Sequence, residues 1–573
     1  MKRVLFVSVL VFACFTVGIG AQATISDATL REVAAMFPNT TLSQEEVMKE
    51  LRWFADASKP FRGMSLRAVA ESMGVHVYEA DVIAKAFQKL TGIKVQQDII
   101  DEGSVIERIY TQMATGKTIY ELYVNDSDLI GTHLRRGLVL NLSEFMKGAG
   151  KDVTNPYLDL DDWLNLDFTK DYDGNILQLP DQQFPAIYIF RYDWFTNPEY
   201  KAKFKAKYGY ELGVALNWTA YEDIANFFMN DIGTINGKKV YGHTDYGKPS
   251  PDLGWRMSDS WLGVAGVGDK GLPFGYPVDD WGLRVEGKIP AGFSMSRGGA
   301  LNSPAAVYAV QKYIDWMKNF ANPEAMTLGC FESADRFAVG DIAQQIWMYG
   351  GFLASDAYTK KGSPVVDSKT GLPLWRAAPV PHGKYWQEGM KIGYQDAGSW
   401  TLLNSVPLEK QKISWLYAQF ATSKIVDVDK SIVGRTFIRK STVFSKWAEK
   451  AEESFGGILT FYRSPMENKY TPSGPNVPDY GLLAEQFWRF LPKALNGEMT
   501  VKQMMDEMAA QDDMLLNRLY LKEYSPKLNP ERGEQYWLDA PGAPWPEIKT
   551  EEKGRTIDYD AMVKMWKEGK NTF

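Results

Sequence analysis

The sequence predicts an α/β protein with at least two domains, and its length and the order of its elements both support this prediction. At 573 residues, the chain is too long for one ordinary hydrophobic core. Strand-like runs at 66–70, 94–99 and 119–124 alternate with helix-like runs at 81–90 and 105–114. This alternation is typical of a parallel sheet covered by helices.

A polar interruption between two strand-like runs indicates where the chain leaves the first sheet. The run 176–179 is followed by Pro180, by the polar residues 181–183 and by Pro185, and a strand-like pattern then resumes. The prolines prevent a central strand or helix from continuing through this segment. It is either a crossing between two folded bodies, with polar side chains facing the cleft between them, or a surface loop within one sheet.

The ends of the predicted strands supply the first candidate binding residues, because ligands of parallel sheets bind beyond the carboxyl ends of the strands. The first strand ends at Glu71, and Asp126 follows the third. Asp126 and Asp128 could be the acid and base of a glycosidase, but their spacing at a strand end fits one ligand contact and one helix cap better. His76 either donates to a ligand or has a structural role near a helix start.

Composition narrows the classes of partner and cofactor. The chain has 64 Lys and Arg against 71 Asp and Glu, and the two signs are interspersed, so no basic face for nucleic acid is visible. Its four histidines are scattered, and no pair of cysteines has metal-ligand spacing. We therefore expect no nucleic-acid partner, no built-in metal and no cofactor.

The first 23 residues have the features of an export signal. A basic start precedes the apolar run 4–20 and the small-x-small sequence Ala21-Gln22-Ala23. Cleavage after Ala23 predicts a soluble periplasmic protein, with acylation at Cys14 as the alternative. The mature chain retains only Cys330, so no internal disulfide is expected.

Several motifs then follow one another along the chain. They are Lys85-x-Phe87 with Thr91-Gly92-Ile93, Gly137 to Ser143, Asp173-Gly174 with Arg191-Tyr192-Asp193, Asn217-Trp218-Thr219, Phe337-x-x-Gly340 and Gly434-Arg435-Thr436. In this order they resemble the extracellular solute-binding proteins of ABC importers, family 1, over roughly residues 60 to 510. The length and the segments 241–248 and 252–256 are most similar to the long glycerol and polyol receptors of that family.

The resemblance implies a two-lobed periplasmic-binding-protein fold of type II, with a sheet flanked by helices in each lobe. The ligand cleft lies between the lobes. The expected division is a signal at 1–23, a helical extension at 24–59 packed on the main fold, and a loosely packed tail at 526–573. Lobe 1 would comprise 60–183 with 392–436, and lobe 2 would comprise 186–378 with 440–525.

The resemblance also implies a function. The protein would be a receptor that captures glycerol or another small polyol or sugar by hinge closure and delivers it to membrane permease subunits. An oligosaccharide is the alternative ligand. An exported glycan-cleaving enzyme is the alternative class, but the order of the motifs and the lack of a nucleophile signature favour a receptor that is not an enzyme.

The segment 394–400 is the strongest binding candidate in the sequence. Asp396 offers an acceptor, Gly398 permits close approach and Trp400 offers a stacking ring, although a turn with a buried tryptophan has the same pattern. Arg297 either reaches a ligand hydroxyl or pairs with a surface acid. The complete predicted ligand set is Glu71, His76, Asp126, Gln182, Asp245, Arg297, Tyr349, Asp396 and Trp400.

Overall fold

The structure is a computed structural model that describes residues 25–125, 129–259, 261–268, 270, 277–520, 523–540, 542, 545 and 548–572. The chain folds into two lobes, and each lobe has its own sheet. The predicted export signal and Asp126 lie outside the described residues. Among the described residues, no helix combines the length and the apolar character needed to cross a membrane.

The sheet of lobe 1 has five strands. Their order across the sheet is Lys94–Ile100, Ser65–Glu71, Leu122–Asn125, Ser399–Leu402 and Leu179–Pro180. The first three are parallel and the last two pair antiparallel. Helices Ala84–Thr91, Glu102–Thr115 and Leu408–Ala421 belong to this lobe. The alternation predicted between residues 66 and 124 is therefore confirmed, with Gly92 ending a helix at a φ of 75°.

The main sheet of lobe 2 has three antiparallel strands. Ala186–Arg191 lies in the middle, between Gln344–Tyr349 and Trp375–Ala378. All six residues of the central strand are buried, because other parts of the lobe cover both faces of the sheet. The main helices of this lobe are Trp218–Asn226, Pro251–Ser258, Pro304–Asn319, Cys330–Ala338, Tyr480–Leu495 and Val501–Arg518.

Within the described part of the chain, three segments connect the lobes. Residues 181–185 leave the lobe 1 sheet at Pro180 and enter the lobe 2 sheet at Ala186, so the polar interruption is a crossing and not a loop within one sheet. Residues 395–398 run beside it, and the backbone N–H groups of Asp181 and Gln182 both donate to the Gly398 carbonyl. Residues 435–439 form the third crossing, after helix Asp427–Gly434.

The N-terminal extension packs on lobe 1. Its helices are Asp27–Ala34 and Gln44–Ala57, and the second begins with a capping box formed by Ser43 and Glu46. Phe54 reaches the lobe 1 core, where its ring centroid lies 5.3 Å from that of Phe420. The extension is therefore part of the lobe 1 core.

The C-terminal tail packs on lobe 2 through a few buried side chains, whereas most of its described residues between 526 and 558 are exposed or half-buried, as expected for a loosely packed tail. Strand Thr556–Ile557 pairs with Val214–Ala215, and helix Tyr559–Lys567 follows it. The tail buries Trp537, Trp545, Tyr559, Met562 and Trp566. These few large side chains anchor the segment to lobe 2. The overall composition of the segment is polar, so composition alone does not reveal them.

Candidate ligand-binding site

A small cavity lies between the lobes, and we call it the cleft cavity. Its volume is about 40 Å³. Lobe 1 contributes the end of strand Ser65–Glu71 and the start of helix Glu102–Thr115, and the first crossing contributes Phe184. The complete lining is Glu71, Met73, Glu102, Phe184, Trp255, Asp259, Cys330, Phe331, Tyr349, Phe352 and Tyr394.

Six aromatic rings surround the cleft cavity, and Tyr349 is at their centre. Its ring lies 5.7 Å from Phe184, 5.5 Å from Phe352 and 6.0 Å from Tyr394, each in an edge-to-face arrangement. Phe331 is half exposed and lies 4.7 Å from Phe352. The rings form a rigid apolar wall that suits the C–H surface of a small ligand.

Three carboxylates line the same cavity. Glu71 ends one strand of lobe 1, Glu102 follows the next strand, and Asp259 follows helix Pro251–Ser258 of lobe 2. The Tyr349 hydroxyl donates to Asp259 Oδ2 at 2.6 Å. Burial and the nearby Asp259 charge raise the pKa of Tyr349 well above its usual value, so this hydroxyl remains protonated. No lysine or arginine is among the described lining residues, so the cavity favours hydroxyl donors or cations over anions.

A hydrogen-bonded group on the crossings supports Glu71. Gln182 Nε2 donates to Glu71 Oε1 at 2.6 Å and lies 3.5 Å from Asp396 Oδ2. The backbone N–H of Gly398 also donates to Asp396 Oδ2, at 2.9 Å. A Cβ atom at position 398 would lie 2.7 Å from the Gln182 side chain, so this close approach requires glycine.

A buried charged group lies next to these residues, and we call it the hinge charge cluster: His76, Glu79, Asp181 and Lys430. Lys430 Nζ lies 2.7 Å from Glu79 Oε1 and 2.5 Å from Asp181 Oδ1. His76 Nε2 lies 3.8 Å from Asp181 Oδ2. Burial and the Glu79 charge raise the pKa of Asp181 to about 7, and burial lowers the pKa of His76 to about 4.

The hinge charge cluster also contains the described side chains that come closest to a metal site. His76, Glu79 and Asp181 offer ligand atoms within 4.8 Å of one another. The Lys430 ammonium, however, already lies between the two carboxylates. A divalent ion would have to displace this buried cation, so the cluster is better explained as an internal ion pair.

The structure brings four predicted ligand residues together. Glu71 and Tyr349 line the cleft cavity, and Gln182 and Asp396 lie directly behind Glu71. His76 is one layer further from the cavity, where its Nδ1 is 3.0 Å from the Glu71 carbonyl oxygen.

The structure places three other predicted residues away from the cavity. Asp245 forms a buried ion pair with Arg256 inside lobe 2, with Oδ2 2.7 Å from Nη2. Arg297 binds the C-terminal tail through the Asn529 carbonyl at 2.6 Å and Glu531 at 2.9 Å. Trp400 is fully buried in the lobe 1 core, which corresponds to the buried-tryptophan alternative.

Nine of the eleven lining residues are absent from the predicted ligand set, among them Glu102, Trp255, Asp259 and Phe331. The rule that ligands lie beyond strand ends, if applied to strand Lys94–Ile100 as well, indicates Glu102. Trp255 is the half-buried member of an otherwise largely buried helical stretch. No local pattern singles out Asp259 or Phe331.

A larger channel continues from the cleft cavity along the cleft, and we call it the cleft channel. Its volume is about 240 Å³, and it shares Met73, Phe331 and Phe352 with the cleft cavity. Ser72 to Val75 and Val433 form its lobe 1 side, and Asp335 and Ser355 lie on its lobe 2 side. The cleft therefore offers a compact pocket and an adjoining, longer space.

Comparison with known proteins identifies the fold. The chain matches no family model, and no curated protein matches it in sequence. An ABC transporter solute-binding protein from Agrobacterium radiobacter K84 in complex with ribitol is similar in structure, with a TM-score of 0.60 and 17% identity over 79% of this chain and 99% of that one. Maltose-bound T. maritima MalE3 has a TM-score of 0.59 and 16% identity, over 79% of this chain and 100% of that one. An ABC transporter solute-binding protein from Agrobacterium vitis S4 with bound D-mannitol has a TM-score of 0.57 and 15% identity, over 80% of this chain and 100% of that one.

At these identities the similarity establishes the fold alone. It confirms the predicted fold class, which is the two-lobed α/β periplasmic-binding-protein fold with a sheet flanked by helices in each lobe.

Proposed function

We propose that the protein is an exported substrate-binding receptor of an ABC importer that captures glycerol or a similar small polyol between its lobes. The observation that carries this proposal is the cleft cavity, where six rings and three carboxylates from both lobes and the crossings converge. Receptors of this fold bind ribitol, maltose and D-mannitol, so a polyhydroxylated ligand and membrane permease partners are the corresponding proposals here.

The size of the cleft cavity favours a small ligand. A volume of about 40 Å³ has room for about three water molecules, because one water needs roughly 10 to 15 Å³ of water-accessible cavity. This space suits a three-carbon polyol. A ligand of that size can reach about −9 kcal/mol at most, so sub-micromolar affinity is attainable if every hydroxyl is hydrogen-bonded.

The chemistry of the lining favours binding over catalysis. Cys330 is the nucleophilic side chain at the cavity, and burial raises its thiol pKa well above the usual value, so it remains a protonated and unreactive thiol. Carboxylate oxygens accept hydrogen bonds from hydroxyl groups, which are the donors that a polyol provides. Turnover of a glycan by the purified protein would contradict this proposal.

The cleft channel favours a second candidate ligand, an oligosaccharide. A longer ligand placed with one end in the cleft cavity would extend past Phe331 and Phe352 into this space of about 240 Å³. Such a ligand would keep the receptor function and change only the substrate class.

Isothermal titration calorimetry with a ligand panel distinguishes the candidates. We expect glycerol or a short alditol to bind and glycerol phosphate not to bind, because the described lining holds three carboxylates and no basic side chain. Tight binding of a disaccharide without any response to polyols would contradict the glycerol proposal. It would favour the oligosaccharide candidate instead.

Replacing Asp259 by asparagine should weaken polyol binding by about ten- to 100-fold, because a charged acceptor contributes ~1.5 to 3 kcal/mol to a hydrogen bond. Asparagine retains the shape of the side chain and can still accept from the Tyr349 hydroxyl. Asp356→Asn, at an exposed position of the same lobe, is the matched control. Equal affinities of the two variants would place the ligand away from Asp259.

Ligand-induced closure is tested by small-angle scattering. We expect the radius of gyration to fall when glycerol saturates the protein, because a ligand held by both lobes stabilises the closed arrangement. Gly351 of lobe 2 faces lobe 1, and a Cβ atom there would lie 2.9 Å from Met73 Cε. A phenylalanine at this position should hold the lobes apart and remove the compaction. Identical scattering with and without ligand in the wild type would indicate a rigid body.

A further inference from the structure

A second, larger cavity lies at the hinge, outside the cleft, and we call it the rear cavity. Its volume is about 690 Å³, within the ~300 to 1,000 Å³ typical of small-molecule sites. One wall is the lobe 1 segment 160–170, and the opposite wall is formed by Lys440, Phe444 and residues 462–471. It shares no lining residue with the cleft cavity.

The rear cavity contains polar groups that the fold does not use. Thr471 is only 3% exposed, and its Oγ1 has no hydrogen-bond partner. Arg463 donates through Nε and Nη1 to the Val443 carbonyl and to Glu452, but its Nη2 has no partner. Both atoms are buried within the wall itself, so they show that the packing around this cavity leaves hydrogen-bonding capacity unused, because buried donors and acceptors normally have partners.

The charge and the rings of the rear cavity define the class of ligand. Its three acidic residues, Asp161, Asp167 and Glu467, balance its three basic residues, which are Lys170, Lys440 and Arg463. Balanced charge favours a neutral ligand that both donates and accepts hydrogen bonds.

Aromatic surface is present at the same place. Trp163 and Tyr462 line the rear cavity from within, and Phe444 stands at its rim with 61% of its surface exposed. The exposed Phe444 ring, beside carboxylate and amide groups, suits the apolar face and hydroxyl groups of a sugar ring.

We propose that the rear cavity is a second ligand site, which binds a neutral saccharide of one or two rings and thereby biases the hinge. The site itself does not depend on the proposed receptor function, whereas its effect on the cleft does.

The geometry of the crossings explains the coupling. Phe184 lines the cleft cavity, while its neighbour Gln183 contacts the wall of the rear cavity through the Leu164 carbonyl and the Tyr462 hydroxyl, both at 2.6 Å. On the second crossing, the N–H of Gln395 donates to the carbonyl of Thr471, and strand Gly393–Tyr394 pairs with Tyr470–Thr471. Tyr394 lines the cleft cavity and Thr471 lines the rear cavity. Movement of either wall therefore acts on the same two crossings.

Calorimetric titration with glucose, maltose and trehalose, in the presence and absence of saturating glycerol, tests the proposal. Wild type should bind at least one of these saccharides.

The double variant Phe444→Ala/Asn468→Ala should weaken that binding about tenfold or more. Both side chains are exposed, so the fold should persist. Each single variant, Phe444→Ala or Asn468→Ala, should weaken it by a smaller factor. Asp259→Asn should leave saccharide binding unchanged.

The outcomes separate the two sites. Saccharide binding that Asp259→Asn removes and the rear variants retain would overturn the second site, since the saccharide would then occupy the cleft. Lack of binding to wild type at millimolar saccharide would overturn it as well. If the sites are coupled, the saccharide changes glycerol affinity by the same factor as glycerol changes saccharide affinity. A factor of one would overturn the coupling.

Discussion

Replacing Lys430 by methionine is expected to lower the free energy of unfolding at pH 7 by about 3 to 5 kcal/mol, the usual cost of removing one partner of a buried ion pair. Lys430 is 1% exposed and is the cation between Glu79 and Asp181, which are both fully buried. Without it, two carboxylates share an apolar environment, and at least one must be protonated. Urea denaturation followed by circular dichroism measures the loss.

The matched control is Lys203→Met. Lys203 pairs with Glu199 at 2.6 Å, but both side chains are more than half exposed, and such surface pairs contribute only about 0 to 1 kcal/mol. The cost of Lys430→Met should shrink near pH 5, where protonation of Asp181, whose pKa is raised to about 7, removes the repulsion. An effect as small as that of the control would mean that solvent reaches the hinge charge cluster.

Asp181 is expected to make wild type less stable as the pH rises from about 4 to 7. Burial and the Glu79 charge raise its pKa from 3.8 to about 7 in the folded protein. A carboxyl with a raised pKa contributes stability that is fully present below its unfolded pKa and is lost as the pH rises through its folded pKa. The loss amounts to roughly 1.4 kcal/mol per pH unit, or about 4 kcal/mol in total.

The test compares wild type with Asp181→Asn by urea denaturation at several pH values. The variant lacks the titrating carboxyl, so the difference between the two unfolding free energies should change steadily between pH 4 and 7. Asp81→Asn, at an exposed position, should show no such trend. A constant difference for Asp181→Asn would mean that Lys430 keeps Asp181 ionised throughout this range.

Local sequence signals were sufficient for most of the fold. The strands and helices of lobe 1 each have a hydrophobic pattern that repeats every few residues, so a short stretch of sequence is enough to recognise them. Pro180 and Pro185 act on their own backbone, so the first crossing was also predictable. The rule that ligands bind beyond the carboxyl ends of parallel strands correctly indicated Glu71, which lines the cleft cavity.

The site was only partly predictable, because a residue type does not reveal its partner. Asp245 and Arg297 have the chemistry of ligand contacts, but their charges are used by Arg256 and by the C-terminal tail. Trp400 lies in a strand whose four residues are all buried. The burial of such a strand does not alternate between its two faces, so the sequence does not show which of its faces meets a cleft. Asp259 reaches the cavity through the packing of helix Pro251–Ser258 against lobe 2, which no local pattern encodes.

The attachment of each extension to a single lobe makes the chain suitable as an optical sensor. The N-terminal helices pack on lobe 1, and helix Tyr559–Lys567 packs on lobe 2. Glu45 and Glu568 are exposed and line neither the cleft cavity nor the cleft channel, so cysteines introduced there can carry a donor and an acceptor dye. The buried Cys330 would not compete for the label. Energy transfer between the dyes would then report the angle between the lobes in real time, without modifying any residue that contacts the ligand.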